Sequence, residues 1–200
     1  MLQPFLYKTK IEAGLDEAGR GCYAGPVVAA AVILPKDFHH PLLNDSKKLS
    51  EKERNILRPV IEKESLAFAV GFVDNQEIDA INILQATYKA MHLALDQLSQ
   101  KPQVLLIDGN RFKPYANIHY KCIIKGDGIF ASIAAASILA KTYRDEYMLK
   151  IHEEFEQYGW KNNKGYGTAE HRAAIDTIGL CKYHRKSFDI LKPQINLFEE

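Results

Sequence analysis

The chain is short of cysteine, of long apolar stretches and of net charge, and each shortage removes a class of function. Only three cysteines occur in 200 residues. Cys22, Cys122 and Cys181 are scattered and odd in number, so they build no disulfide framework, and no pair has the CxxC spacing of a zinc site. They read as idle thiols, which suits a reducing compartment. The most apolar runs, residues 24–34 and 131–140, are too short to cross a bilayer. The start, Met1-Leu2-Gln3-Pro4-Phe5, runs into charged residues with no cleavage pattern. The expected location is the cytoplasm. Formal net charge is only +1, so binding a polyanion requires a local basic patch. No repeat, low-complexity tract or linker interrupts the chain.

What remains is an ordinary globular composition, 46% hydrophobic and 26% charged, in a chain long enough for one domain with a small appendage. Residues 11–16 and 26–34 read as strands, the second apolar throughout and so buried on both faces. Ser50 with Glu53 makes a capping box that opens a helix to about residue 64. Residues 66–73 read as a third strand. Ile78, Ile81, Leu84, Tyr88, Met91, Leu95 and Leu98 then recur at helical spacing, which predicts one long amphipathic helix over 77–98. Strands follow at 104–107 and 118–124, ending at Asp108-Gly109-Asn110 and Lys125-Gly126-Asp127-Gly128. A second long helix is expected from about 130 to about 158. Beyond residue 159 the chain turns richer in Lys, Arg, Gly and Tyr, with a short helix over 169–178. This order predicts an α/β fold, a mixed five-stranded sheet flanked by helices over residues 1–158, with a small helical C-terminal region over 159–200.

The acids carry the strongest local signal. Asp16-Glu17, Asp108 and Asp127 each end a predicted strand before a glycine-bearing turn, where ligand sites gather in sheets covered by helices. Neighbours on a strand point to opposite faces, so Asp16 and Glu17 converge only if the backbone bends, which Gly14, Gly19 and Gly21 permit. Converging carboxylates repel and call for cations, and hard oxygen donors suit Mg²⁺ or Mn²⁺. Two such ions about 4 Å apart activate water and stabilise the leaving oxygen in phosphodiester cleavage. The competing reading is that these acids cap turns and helices, and position alone does not decide between the two.

Two glycine patterns mislead. Gly14-Leu15-Asp16-Glu17-Ala18-Gly19-Arg20 approximates a P-loop, but Arg20 and Gly21 stand where Lys and Ser/Thr belong, and two carboxylates would face the phosphates. Gly19-Arg20-Gly21-Cys22-Tyr23-Ala24 matches a dinucleotide fingerprint, but Gly25-Pro26-Val27-Val28 leads into a strand instead of a helix.

Taken in order, several segments resemble the ribonuclease HII family across nearly the whole chain. They are Gly14-Leu15-Asp16-Glu17-Ala18-Gly19-Arg20-Gly21, Gly25-Pro26-Val27-Val28-Ala29-Ala30-Ala31-Val32, Asp45-Ser46-Lys47-Lys48-Leu49 and Ile107-Asp108-Gly109-Asn110. Lys125-Gly126-Asp127, Ser132-Ile133-Ala134-Ala135-Ala136-Ser137-Ile138, Ala140-Lys141, Arg144-Asp145, Gly165-Tyr166-Gly167-Thr168 with His171, and His184-Arg185-Lys186-Ser187-Phe188 complete the set. Cys22-Tyr23 and Gly128 depart from the usual pattern, and neither is a proposed ligand. The resemblance implies a ribonuclease-H-like sheet and an endonuclease that hydrolyses the RNA strand of RNA–DNA hybrids. It also implies cutting 5′ of single ribonucleotides embedded in duplex DNA, leaving 3′-hydroxyl and 5′-phosphate ends, as in ribonucleotide excision repair. The family's metal ligands, for Mn²⁺ or Mg²⁺, carry over onto Asp16, Glu17, Asp108 and Asp127.

By the same resemblance, Gly19-Arg20-Gly21 reads the ribonucleotide, whose 2′-OH separates RNA from DNA. Tyr166 senses the nucleotide that follows, since an aromatic ring stacks on a sugar or base. Lys47 and Lys48, with Lys161, Lys164, Arg172, Lys182, Arg185 and Lys186, are candidates for the basic patch, Lys47 as a direct substrate contact. Asp145 reads as a salt-bridge partner and His171 as a phosphate- or solvent-facing histidine. Another ribonuclease-H-like nuclease, such as a DNA-junction cutter, is the alternative enzyme; a metal-free hybrid-binding protein is the alternative binder, and it would lack one of the four acids. Gln194, Leu197 and Phe198 resemble the peptide with which bacterial replication proteins dock on the sliding clamp, against the plainer reading that they fold back on the core. A monomer is expected.

Overall fold

β1 (Glu12–Ala18), β2 (Val27–Ile33), β3 (Ala67–Val73), β4 (Val104–Asp108) and β5 (His119–Ile123) form one sheet, ordered β3-β2-β1-β4-β5, in a computed structural model that describes residues 2–190. Gln194, Leu197 and Phe198 lie outside the described residues. Adjacent strands β1–β2 and β2–β3 run antiparallel, whereas β1–β4 and β4–β5 run parallel. The helices are α1 (Glu51–Glu64), α2 (Asn75–Ile81), α3 (Ile83–Asp96), α4 (Ala131–Glu154), α5 (Trp160–Asn163) and α6 (Ala169–Ile178).

Small side chains explain the layering. All seven β2 residues are buried, and three central alanines let helices close on both faces. Ala29, Ala31 and Ile33 pack with Ala90, Met91 and Ala94 of α3, while Ala30 and Val32 pack with Ala135, Ile138 and Leu139 of α4 and Leu57 and Ile61 of α1. Every residue from 131 to 140 is buried, so α4 begins as a core helix with no solvent face. Gly14 makes this fit: a Cβ there would stand 2.2 Å from the Ser132 carbonyl carbon. Full burial of each Leu or Ile contributes about 1.5–3 kcal/mol.

The long helix expected over 77–98 is two helices. It starts earlier, at Asn75, where the Asp74 side chain accepts from Glu77 N–H, and it breaks at Asn82. Asn82 has φ 66 and turns its side chain onto the N–H groups of Leu84 and Gln85, capping α3. Apolar periodicity passes over the break because both helices face the same core. α4 stops at Glu154, and residues 156–158 form a separate 3₁₀ turn. The capping box at Ser50 and Glu53 is present. Among the described residues no helix is long and apolar enough to cross a membrane.

Candidate active site

Parallel pairing sends β1, β4 and β5 out of the same edge of the sheet, and the four acids sit on that edge. Asp16 and Glu17 lie near the end of β1, Asp108 ends β4, and Asp127 lies in a 3₁₀ turn (Gly126–Gly128) just beyond β5. Lys125, in a left-handed conformation with φ 57, starts that turn. Asp108 Oδ1 accepts the Gly126 N–H at 2.7 Å, which ties the end of β4 to the turn carrying Asp127.

The expected bend between Asp16 and Glu17 is absent: β1 keeps unbroken register with β2 through Ala18. The two carboxylates leave opposite faces, as alternation requires. Asp16 is on the α4 side, where the Ser137 hydroxyl bonds to it; Glu17 is on the α3 side, in a cleft floored by α3 residues. They share a site because β1 outruns its pairing with β4, which ends at Leu15–Ile107, so both reach around the edge toward Asp108.

Burial and mutual charge dominate the electrostatics. Burial, then the charges of Glu17 and Asp108, hold the Asp16 carboxyl well above the ordinary carboxylate range. Burial also raises Glu17, against the pull of Arg20, whose Nη1 lies 3.1 Å from Oε1. Asp127, 1% exposed, is raised by burial and by Asp108, with Lys47 opposing at 3.5 Å. Among the described residues no three Asp, Glu, His or Cys side chains stand close enough to hold a metal ion as they are. Protein donors occupy them instead: Arg20 on Glu17, Gly126 N–H on Asp108, Lys47 on Asp127. The set still fits a divalent cation, because the Asp108 charge helps raise Asp16, Glu17 and Asp127 and all the donors are hard carboxylate oxygens. Replacing the Arg20 and Lys47 contacts with a cation relieves the same repulsion.

A cleft on the α4 side of this edge is lined by Asp16, Glu17, Asp108, Gly19, Arg20 and Gly21, and on its far side by Lys47, Lys141 and Tyr166. The Gly19-Arg20-Gly21 loop is held from beneath by two buried arginines. Arg185, without solvent exposure, donates to the carbonyls of Gly19 (2.7 Å), Arg20 (2.9 Å), Gly25 (3.0 Å) and Pro26 (3.1 Å). Arg144 donates to Pro26, Ala24 and Lys164. At Gly19, φ is +90 and a Cβ would stand 2.0 Å from Arg144 Nε, so only glycine fits. Arg185 is therefore no member of a surface basic patch, contrary to the sequence expectation; its charge is spent inside on backbone carbonyls. Lys182, Lys164 and Lys47 are also paired, to Glu154, Glu51 and Asp127, whereas Lys48, Lys161, Arg172 and Lys186 are exposed.

Tyr166 is 44% exposed beside this loop, which its own segment pairs through a Cys22–Tyr166 bridge and the Tyr23 N–H to Gly165 carbonyl bond at 2.7 Å. His171 is not at the surface, as expected from sequence, but buried beneath Tyr166. Its Nε2 accepts from Trp160 Nε1–H at 3.0 Å, so Nδ1 carries the proton and donates to the Tyr166 carbonyl at 2.9 Å. His184 Nε2, 3.1 Å from the same His171 nitrogen, must then be a donor, leaving His184 Nδ1 to accept from Cys181 N–H at 3.0 Å. Each ring is neutral in this network; burial, then the adjacent titratable His171, pushes His184 down to about 4. Asp145 pairs with Lys141 at 3.9 Å. Arg144, Trp160 and His184 had no assigned role from sequence, Arg185 had the wrong one, and no local pattern marks an arginine that folds inward.

A sequence model of the ribonuclease HII family matches residues 13–191. A ribonuclease HII of Bacteroides thetaiotaomicron is 63% identical over 198 residues, 98% of this chain and 99% of the relative. Among solved structures, the PCNA:RNase HII complex from Archaeoglobus fulgidus aligns at TM-score 0.72 and 24% identity, covering 92% of this chain and 98% of that one. Bst-RNase HIII in complex with Mn²⁺ aligns at TM-score 0.71 and 20% identity, covering 90% and 67%. The two structural likenesses define a ribonuclease-H-like fold. On the sequence matches the chain belongs to the ribonuclease HII family, metal-dependent endoribonucleases that cut the RNA of RNA–DNA hybrids.

Proposed function

We propose that this enzyme also cuts 5′ of single ribonucleotides embedded in duplex DNA, leaving 3′-hydroxyl and 5′-phosphate ends, and so serves ribonucleotide removal in the cytoplasm as a monomer. One observation carries the reading: three of the four carboxylates (Asp16, Glu17 and Asp108), the clamped Gly19-Arg20-Gly21 loop and Tyr166 all line one cleft, and Lys47 of that cleft lies 3.5 Å from the fourth, Asp127. Asp16, Glu17, Asp108 and Asp127 are the residues that would hold a pair of Mg²⁺ or Mn²⁺ ions, which would supply the positive charge that phosphodiester hydrolysis needs. Mn²⁺ in the Bst-RNase HIII structure is consistent with that choice.

The remaining roles follow from what each group offers. With their carbonyls turned onto Arg185, Gly19 and Arg20 are fixed in a loop whose exposed Gly21 lets a sugar approach closely. Tyr166 stacks on the nucleotide 3′ of the ribonucleotide. Lys47, on Asp127 here, moves to a substrate phosphate once the carboxylates hold cations. Residues 1–158 form the catalytic domain, with Gly19-Arg20-Gly21 and Lys47 on the substrate, and 159–200 add a helical substrate-binding region and tail. In the Archaeoglobus complex the partner is PCNA; here the tail residues Gln194, Leu197 and Phe198 are the proposed clamp peptide. A duplex bearing one ribonucleotide, incubated with and without Mg²⁺ or Mn²⁺ and mapped for its ends, tests the function. A cut elsewhere than 5′ of the ribonucleotide, or equal cutting of all-DNA duplex, overturns it.

A further inference from the structure

The carboxylate edge opens on two clefts, one on each face of the sheet, and only the α4-side cleft has a role above. The other, about 420 Å³, shares Glu17, Arg20 and Asp108 with it and then runs along α3 over Leu84, Tyr88 and Met91. Its upper wall is Gly109, Asn110 and Arg111, the loop that leaves β4 directly after Asp108. Gly109 has φ +100, and a Cβ there would meet nothing within 4 Å, so the backbone turns in open space. That turn carries Asn110 and Arg111, both exposed, across the cleft mouth. Arg111 has no hydrogen bond or ion pair among the described residues. Tyr88 is half-buried and braced edge-on against Phe112 at 6.5 Å, a fixed aromatic surface at the cleft floor.

We infer that this cleft is a binding subsite for the sugar–phosphate strand on the 5′ side of the cut. The inference rests on the function proposed above. The two clefts meet at Glu17, Arg20 and Asp108; with Tyr166 on the 3′ side on the α4 face, the 5′ side continues across Glu17 and Asp108 onto the α3 face. The groups there match that ligand. Two guanidinium groups, Arg20 and Arg111, flank the path and suit phosphates. Asn110 offers a donor and an acceptor for sugar or base edges, and the Tyr88 ring offers an apolar surface to a sugar. Phosphate contacts of this kind position a strand without reading its sequence, so the subsite tolerates any 5′ sequence.

The experiment compares wild type, Arg111→Ala and Arg111→Lys on duplexes carrying one ribonucleotide, with either the 5′ or the 3′ flank cut short. Arg111→Ala is expected to raise KM about tenfold with kcat held, and to lower the slope of log KM against log salt by about one. Arg111→Lys recovers most of the loss. The handicap disappears when the 5′ flank is shortened and persists when the 3′ flank is. Equal loss on both truncations, an unchanged salt slope, or a matching fall in melting temperature overturns the subsite. If wild type cuts hybrids but not the embedded ribonucleotide, the proposed function fails instead, and the same flank comparison on hybrids decides the subsite.

Discussion

Asp16, Glu17, Asp108 and Asp127 are costly neighbours: three of the four are held above their ordinary proton affinity by burial and by each other. Removing one charge therefore has opposite effects on chemistry and on folding. Asp127→Asn and Asp108→Asn are expected to reduce cleavage nearly to background while duplex binding persists, because the basic surface is untouched. In metal-free buffer near neutral pH, Asp127→Asn is expected to melt above wild type, since a buried repulsion is gone; adding Mn²⁺ or Mg²⁺ narrows the gap by stabilising wild type. Wild-type turnover by Asp108→Asn at saturating metal would remove that residue from the proposed ligands. Tyr166→Ala is expected to cost tens of fold on a single embedded ribonucleotide and less on a long hybrid, because stacking is worth about 1–3 kcal/mol. Equal losses on both substrates would make Tyr166 a general binding residue. All four acids and Tyr166 are legible in the sequence, through strand ends and glycine-flanked motifs. Arg185 is not, because whether an arginine faces solvent or four carbonyls depends on chain segments far apart in sequence.

At the scale of elements, α6 and the 3₁₀ turn at Tyr158 build a neutral histidine network under the Tyr166 segment. His184 is depressed to about 4 from an ordinary 6.5. Above 6.5 the ring is neutral both folded and unfolded, so the network's stability is fully present. As pH falls from 6.5 toward 4 the unfolded chain takes up a proton that the fold refuses, and stability is lost. The melting temperature of wild type should therefore fall through that window, and His184→Gln, though less stable at pH 7, should show a flatter profile. Identical slopes would place the acid lability elsewhere. The start of α1 with its capping box and the doubly buried strand β2 were readable from local pattern. The break at Asn82 was signalled only by the asparagine itself, since the apolar spacing continues across it, and the four-residue α5 is too short to leave a periodic trace.

At the scale of the whole molecule, none of residues 194–200 belongs to the proposed catalytic set. If the tail is a clamp peptide, deleting residues 194–200 should abolish capture by the sliding clamp and leave cleavage of a short duplex unchanged. A lower melting temperature and slower cleavage of that duplex would instead make the tail part of the fold. By itself the sequence determined the α/β class, the strands, the acids and the family, because these depend on local periodicity and on motifs contiguous in the chain. Tertiary structure alone decided that β1, β4 and β5 leave one edge together, and that Asp16 and Glu17 reach the site from opposite faces. It alone turned Arg144, Arg185 and His171 inward. The reason is physical: strand pairing and burial are set by contacts between distant segments, and the sequence names the partners without saying which will meet.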